Sequence, residues 1–427
     1  MCARILVLGS GGREHALAWR LSRDPEAPEV VVAPGNDGMA QSFRCVTVNE
    51  REPAEVVALA RREQASLVVV GPEAPLAAGV ADALAEAGIA VFGATREASR
   101  IESSKWFAKE VMAEAGVPTP VAGVFTDARE AVAALPRMGP PWVVKADGLA
   151  AGKGVLVTTD GEEAAAFVRG CLETGRFGAS GRRVLLESHV EGEEASVVAI
   201  CDGERHVLLP PARDFKRAFD GDRGPNTGGM GSYAPTPAVT PGMERDVSTR
   251  IITPVLRALA RRGTPYRGAL YAGLMLTAAG PQVIEFNARF GDPETQSTLP
   301  LLTNSLSMLL ASAARGVLEP GACGRSGHAA ITLALVDEGY PDQVRGGGFL
   351  RGLELAERSV LVFHAGTRRR RGAWRVSGGR AAYLTAWAAT MTQARASLET
   401  ALHQLSGSGW RCRTDIAERI PNDTGVA

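Results

Sequence analysis

The sequence predicts a multidomain protein that is α/β at its start and α+β beyond, and three observations carry that expectation. Its 427 residues, at roughly 150 residues per domain, ask for about three units, each able to bury a core of its own. The first hundred residues alternate short apolar runs with helically spaced segments, the grammar of a parallel sheet. From about residue 121, β-rich runs separated by glycine-rich turns replace that alternation and read as antiparallel hairpins.

Taken in order, Arg4–Leu8 is an apolar strand, Arg13–Leu21 has helical spacing, and Glu29–Ala33, Leu67–Val70 and Ile89–Phe92 repeat the strand pattern. A helix over Ser104–Ala115 is stopped by Gly116 and the stiff Pro118-Thr119-Pro120 segment, which places a first boundary near residue 103. Trp142–Ala146, Val155–Thr159, Val184–Glu187 and Ala195–Cys201 read as strands, and Leu270–Thr277 pairs with Gln282–Asn287 across a turn at Ala279-Gly280-Pro281. A helical tail over Leu299–Arg315 closes that unit. Beyond the glycine-rich break at 321–327, Ile331–Val336, Val360–His364 and Ala381–Ala386 form a small strand-rich terminal domain. The expected domains are 1–103, 104–324 (lobes of about 121–190 and 191–324) and 325–427.

The charges balance, with 47 Lys plus Arg against 47 Asp plus Glu, so no global field gathers nucleic acid or an anionic membrane. Six cysteines stand singly, without CxxC spacing, and read as free thiols in a reducing compartment. The apolar run Ile5–Leu8 is too short for a signal segment, and no run approaches a membrane span, so the cytoplasm is expected. The 49 glycines are the informative excess.

Gly9-Ser10-Gly11-Gly12-Arg13-Glu14-His15 follows a strand and opens a helix, where backbone amides and the helix dipole suit an anion; a plain tight turn fits the same residues. It is a poor dinucleotide fingerprint, because Glu14 stands where a third glycine belongs and the second strand ends at Ala33-Pro34-Gly35 without a ribose-binding acid. Glu73, in Gly71-Pro72-Glu73-Ala74-Pro75-Leu76, follows a strand end where ligands gather in parallel sheets.

Lys145 to Gly154 reads KADGLAAGKG. A strand follows it instead of a helix, which excludes a Walker A loop. A glycine-rich hairpin can instead fold over a triphosphate, with Gly148, Gly152 and Gly154 baring amides and Lys145 and Lys153 supplying cations; a mobile surface hairpin is the alternative. Glu285 and Asn287 lie at i and i+2, on one strand face, with Ile284 and Phe286 turned to the core. That oxygen pair suits Mg²⁺, and an ordinary half-buried strand explains it equally. Arg289 shares the parity if the strand continues. Arg223–Gly231 and Arg289–Thr295 are rigid loops that let main-chain amides approach a small polar ligand.

In this order, GSGGREHALAW, APGNDG, GPEAPL, KADGLAAGKGV, GEEAS, GPNTGGMG, YAGLM, EFNARFGDPETQ, FHAGT and SGG resemble the phosphoribosylamine–glycine ligase family, ATP-grasp enzymes of purine synthesis, over nearly the whole chain. GPNTGGMG with GDPETQ is the part specific to that family. The resemblance implies a Rossmann-like N-terminal domain, a two-lobed ATP-grasp domain and a small C-terminal domain. It implies that ATP joins glycine to 5-phosphoribosylamine through a glycyl phosphate, with Mg²⁺ or Mn²⁺. The alternative is another purine-pathway ATP-grasp ligase or carboxylase that activates formate or bicarbonate.

Residue by residue, it implies that Lys105 and Lys145 touch ATP phosphates under the Gly148–Gly154 loop, with Lys153 at its tip. Glu187 to Val190 form the adenine hinge, and Glu194, with Glu193 its rival, holds the ribose. Glu285 and Asn287 bind the metal. Arg289, Asp292, Pro293 and Glu294 line the pocket for glycine and the amine, shared by Asp214, Lys216, Asn226, Thr227 and Gly228 and flanked by Gly11, Gly12 and Glu73. Lys145, Lys153, Arg289 and Asp214 are the catalytic candidates. The partners are these small molecules, without nucleic acid or membrane, and with transient contact to neighbouring purine-pathway enzymes. Phe215, between Asp214 and Lys216 where a histidine is frequent, argues against a histidine base there. The Arg368–Arg371 run is unusually basic and reads as a solvated hairpin tip rather than a nucleic-acid footprint.

Overall fold

The computed structural model describes residues 3–150, 153–319, 321, 323–418 and 420. The first stretch forms a five-stranded parallel sheet in the order Arg44–Cys45, Glu29–Pro34, Arg4–Gly9, Leu67–Val70, Val91–Phe92. Its central strands are apolar on both faces, as a sheet covered by helices requires. The helix Lys105–Ala115 follows, capped by the Ser104 side chain on the Phe107 amide and ended by Gly116 in the left-handed region at φ 65°.

A small antiparallel sheet comes next, ordered Ala122–Phe125, Val184–Glu187, Trp142–Ala146, Val155–Thr158. Two helices, Ala128–Met138 and Gly161–Leu172, cover one face through Ala131, Leu135, Ala164 and Val168. A second antiparallel sheet runs His206–Leu208, Glu193–Gly203, Tyr266–Thr277, Gly280–Asn287. Its Val197, Leu270 and Phe286 share one core with Leu8 and Val70 of the parallel sheet, so these two bodies are packed as one.

The last stretch builds a sheet from Ala329–Asp337, Arg380–Ala388 and Leu361–His364, and the middle of the chain completes it with Arg213–Asp214 and Gly231–Ala234. Between those borrowed strands, where a plain loop was expected over Arg223–Gly231, Arg217–Phe219 and Arg223–Asn226 pair as a small antiparallel hairpin that leads into Thr227–Met230, and the whole is held by the terminal sheet. The C-terminal segment adds a knot: buried Arg413 donates to both Asp415 oxygens at 2.7 Å, to Asp222 at 2.8 Å and to the Arg217 carbonyl at 3.0 Å.

Two expectations are corrected. The helical tail does not run unbroken from Leu299. A short helix Glu294–Thr298 passes into a 3₁₀ turn at Leu299–Leu301 containing Pro300, and a new helix, Leu306–Arg315, starts only where Ser305 caps the Met308 amide. Nor is Ile284 a core residue. The register slips where Leu274 faces Val283 and Gly273 faces Glu285, leaving Ile284 as the extra residue of a bulge. The buried pair is therefore Val283 and Phe286, while Glu285 and Asn287 keep a common face.

Candidate functional site

The cleft between the two antiparallel sheets is defined by Lys145, at the end of Trp142–Ala146. Its Nζ lies 2.9 Å from the Glu187 carboxylate and donates to the Ile284 carbonyl at 3.1 Å, so one buried cation ties both sheets together. Glu187 faces a second lysine, Lys109, at 3.5 Å, and Lys109 also donates to Thr119 Oγ1 and the Pro120 carbonyl at 2.8 Å. Burial pulls the Lys109 ammonium down to about 8, with Glu187 offsetting part of that cost. The Glu187 side chain thus belongs to the lysines, and the Ser188 amide that follows donates to the Val121 carbonyl at 2.9 Å.

The base of the glycine-rich hairpin is fixed to the start of helix Lys105–Ala115. Lys105 Nζ donates to the Gly148 carbonyl at 3.1 Å, and Asp147 accepts from Ser104 Oγ at 3.1 Å and the Trp106 amide at 2.8 Å. A side chain at Gly148 would collide with Ser180, whose Oγ lies 2.4 Å from the Cβ position. Gly154 sends its carbonyl back to the Ala146 amide, and Lys153 is exposed on the turn. Gly152 lies outside the described residues.

Lys216 comes within 3.2 Å of Glu194, 3.7 Å of Asp214 and 4.0 Å of Glu285. Burial alone would raise the Glu285 carboxyl, but Lys216, Lys145, Lys105 and Arg289 outweigh it and hold the group below its ordinary value, ionised. Asp214 is pushed the other way, up to about 7, by burial and the neighbouring carboxylates Glu294, Glu194 and Glu285, against the pull of Lys216. Glu193 turns to Arg213 at 2.7 Å, so of the two neighbouring acids it is Glu194 that joins the lysine cluster.

Beyond Asn287 the strand ends, and Arg289 reaches the parallel-sheet domain, with Nε 3.1 Å from Glu73 and 3.2 Å from Glu102. Arg13 meets it from the other side, donating to the Phe290 carbonyl at 3.1 Å and to Glu14 at 2.5 Å. Glu14 explains the missing third glycine: its carboxylate accepts the Gly11 amide at 2.8 Å, and Gly9 and Gly71 lack side chains where Glu14 folds back. The Gly11 amide is therefore committed within the chain. A side chain on Gly12 would strike the Tyr383 ring.

The terminal sheet completes this pocket. Arg380 donates to the carbonyls of Gly228 at 2.5 Å and Asp292 at 2.8 Å, and the Gly228 amide donates to Tyr340 Oη at 2.8 Å. Asp292 is held ionised below the usual carboxylate range: burial opposes this, but Arg380, Arg13 and hydrogen bonds from Tyr383 and Gln296 prevail. Thr227 Oγ1 bonds the Lys216 carbonyl at 2.8 Å and accepts the Gly229 amide at 3.0 Å, and Pro293 packs against Gly229. Glu294 is buried beside Ser196, at 3.4 Å. Asn226 and Asn287 are half-buried.

Lys105, Lys145, Glu187, Glu194, Asp214, Lys216, Glu285, Arg289, Asp292 and Glu294 thus form one connected charge network, with Gly11, Gly12 and Glu73 bordering its far end, while Lys153 is exposed and Glu193 pairs with Arg213. Sequence reading did not single out Arg13, Glu102, Lys109, Arg380, Tyr340 or Tyr383. Arg13 lay inside the quoted motif GSGGREHALAW and Arg380 directly follows another, SGG, and that proximity was the available signal.

The family models for phosphoribosylglycinamide synthetase match the chain in three pieces: the N domain over residues 3–102, the ATP-grasp (A) domain over 103–295 and the C domain over 330–419. A phosphoribosylamine–glycine ligase of Streptomyces coelicolor is 48% identical over 97% of this chain and 99% of its own, and that of Caulobacter vibrioides is 46% identical over 97% and 98%. The crystal structure of phosphoribosylamine–glycine ligase from Thermotoga maritima superposes with a TM-score of 0.84 at 31% identity, covering 97% of this chain and all of that one. The biotin carboxylase domain of a 2-oxoglutarate carboxylase from Hydrogenobacter thermophilus, 20% identical with a TM-score of 0.71, shares the fold over 96% of this chain and 92% of its own.

Proposed function

The chain belongs to the phosphoribosylglycinamide synthetase family and is an ATP-dependent ligase acting on glycine in purine biosynthesis, and from that premise we propose how its cleft divides the work. The observation that carries the reading is Glu285, an ionised half-buried carboxylate ringed by Lys216, Lys145, Lys105 and Arg289. Such a ring is built for a polyanion whose charge shifts during reaction.

ATP lies between the two antiparallel sheets, its phosphates against Lys105 and Lys145 and under the hairpin that carries Gly148, Lys153 and Gly154. Adenine meets the backbone of Glu187–Val190, and Glu194 takes the ribose, supported by its turn toward Lys216 while Glu193 pairs with Arg213. The hard oxygen donors Glu285 and Asn287 suit Mg²⁺, which needs only one or two protein oxygens and completes its shell from phosphate and water. Bound there, the ion supplies charge neutralisation to the phosphate oxygens.

Glycine and the amine occupy the far end, lined by Arg289, Asp292, Pro293, Glu294, Asp214, Lys216 and Asn226–Gly228, with Gly11, Gly12 and Glu73 at its border. Arg289, oriented by Glu73 and Glu102, holds the glycine carboxylate, whose oxygen attacks the γ-phosphorus and expels ADP. The phosphoribosylamine nitrogen then attacks the acyl carbon, phosphate leaves, and Asp214 takes the proton that the nitrogen loses. Its position near neutrality suits a group that must accept and then release a proton. The hairpin excludes water from the glycyl phosphate. The described cysteines are all unpaired, which supports a cytoplasmic site of action.

Heavy-oxygen-labelled glycine tests the path. One labelled oxygen should appear in inorganic phosphate per turnover. Unlabelled phosphate would mean that water or a protein group takes the phosphoryl first.

A further inference from the structure

Between the first and last sheets lies a cavity of about 490 Å³ that none of the groups above uses. One wall is the turn after the first strand, at Ser10, with Asn36 and Asp37; the other is the hairpin strand Thr367–Arg370, with Ser377. The two walls are locked together. Asn36 donates to the Ser10 and His364 carbonyls at 2.8 and 3.1 Å and accepts the Gly38 and Met39 amides, so its hydrogen bonds are spent. Arg369 is spent as well: its amide donates to Asp37 at 2.8 Å and its guanidinium to Gln41 at 3.0 Å, while it stacks over Trp374 at 5.4 Å.

Arg368 and Arg370 are different. They sit at i and i+2 of the strand, on the face opposite Arg369. Among the described residues neither guanidinium has an ion pair or hydrogen bond, and the hydroxyls of Ser10 and Ser377 have no partner either. Two arginine forks and two hydroxyls, against one carboxylate already engaged, form a donor-rich, cationic recess in a chain of zero net charge. That chemistry recognises a phosphate monoester.

Both walls also run straight into the substrate pocket. Ser10 precedes Gly11, whose Cβ position is 3.9 Å from the Asp292 carboxylate, and Ser377 stands three residues before Arg380, which grips the Asp292 carbonyl. We propose that this recess takes the 5-phosphate of phosphoribosylamine, with Arg368 and Arg370 as its anchoring residues, an assignment that rests on the ligase reading. The ATP phosphates are held elsewhere, by Lys105 and Lys145. The sugar then spans from the recess to Asp292, and the amine is presented to the acyl carbon at a fixed distance.

The test compares the full-length protein with the double variant R368A/R370A, using ribose 5-phosphate, inorganic phosphate and ribose as probes in calorimetry. Ribose 5-phosphate should bind tighter than either other probe, and each arginine removed should weaken it by about tenfold. In turnover, KM for phosphoribosylamine should rise by a similar factor while KM for ATP and for glycine holds. Unchanged ribose 5-phosphate affinity in the folded variant overturns the assignment. So does a wild-type protein that binds inorganic phosphate as tightly as ribose 5-phosphate and a variant with unchanged KM for phosphoribosylamine, which would mark a free-phosphate site. Absence of glycine-dependent ADP release from the wild type would fault the ligase reading instead, and leaves the calorimetric comparison to judge the recess.

Discussion

Lys145 is the residue on which most geometry converges, since the same ammonium bridges two sheets and faces the proposed phosphates. Lys145→Ala should reduce kcat/KM for ATP by about 2–4 kcal/mol of transition-state stabilisation. It also strips one of two cations from buried Glu187, so a loss of thermal stability should accompany it. A folded variant with unchanged kcat/KM would remove Lys145 from the ATP site. Glu285→Gln keeps shape and loses charge, and it should raise the Mg²⁺ concentration for half-maximal activity far more than it lowers Tm. Wild-type Mg²⁺ saturation would make Glu285 structural. Glu285 and Asn287 were legible in the sequence because a two-residue repeat survives any change in where the strand begins. Glu102 and Arg380 were not, because their partners Arg289 and Asp292 lie 187 and 88 positions away along the chain.

At the scale of elements, glycine-rich loops were readable as loops, while what they touch was not. Gly229 has φ 111°, and a Cβ there would lie 2.4 Å from Pro293 Cδ and 3.1 Å from the Asp292 carbonyl. Gly229→Ala should therefore push the two proposed substrate loops apart at a backbone cost of about 1–3 kcal/mol, and raise KM for glycine and phosphoribosylamine while KM for ATP stays. If all three constants stay together, the loops do not act as one element. The strands of the small lobe were visible through β-branched runs, but its covering helices Ala128–Met138 and Gly161–Leu172 were passed over. Both are rich in alanine, whose small side chains blur the apolar stripe that marks a helix. The bulge at Ile284 was equally hidden, because nothing local distinguishes the extra residue from its neighbours.

Across the whole molecule, the contact between first and last sheets is closed by two histidines. The His364 amide donates to His15 Nδ1 at 2.9 Å, His364 bonds Thr367, and the rings stack with centroids 6.0 Å apart. Burial dominates in holding both neutral, taking His15 down to about 3 and His364 to about 4. An unfolded histidine binds its proton near pH 6.5. The stability these groups contribute is thus present above pH 6.5, and is lost as pH falls toward 4 and then 3, by on the order of a few kcal/mol. Tm should fall steadily over that range, and His15→Gln, which still accepts the amide bond without titrating, should flatten the slope. An identical slope in the variant would place acid lability elsewhere. That the parallel sheet, the larger antiparallel sheet and the terminal sheet share their cores was beyond sequence reading, since Val197 and Leu8, or Val7 and Val336, look alike whichever partner they choose.

The Arg413 knot bears on how this protein can be handled and recombined. Because Arg413, Thr414 and Asp415 are bonded to Arg217, Asp220, Gly221 and Asp222, this segment is the outer brace of the hairpin that leads to Asn226. A chimera that exchanges only residues 330–419 with a distant relative replaces one half of this brace and keeps the other. Its lesion would show as weakened substrate binding in a domain whose own sequence is untouched, and carrying residues 217–226 along with the graft would repair it. Modules drawn on the sequence map are thus poor units for engineering here; the workable unit is the 217–226 hairpin together with the tail that holds it.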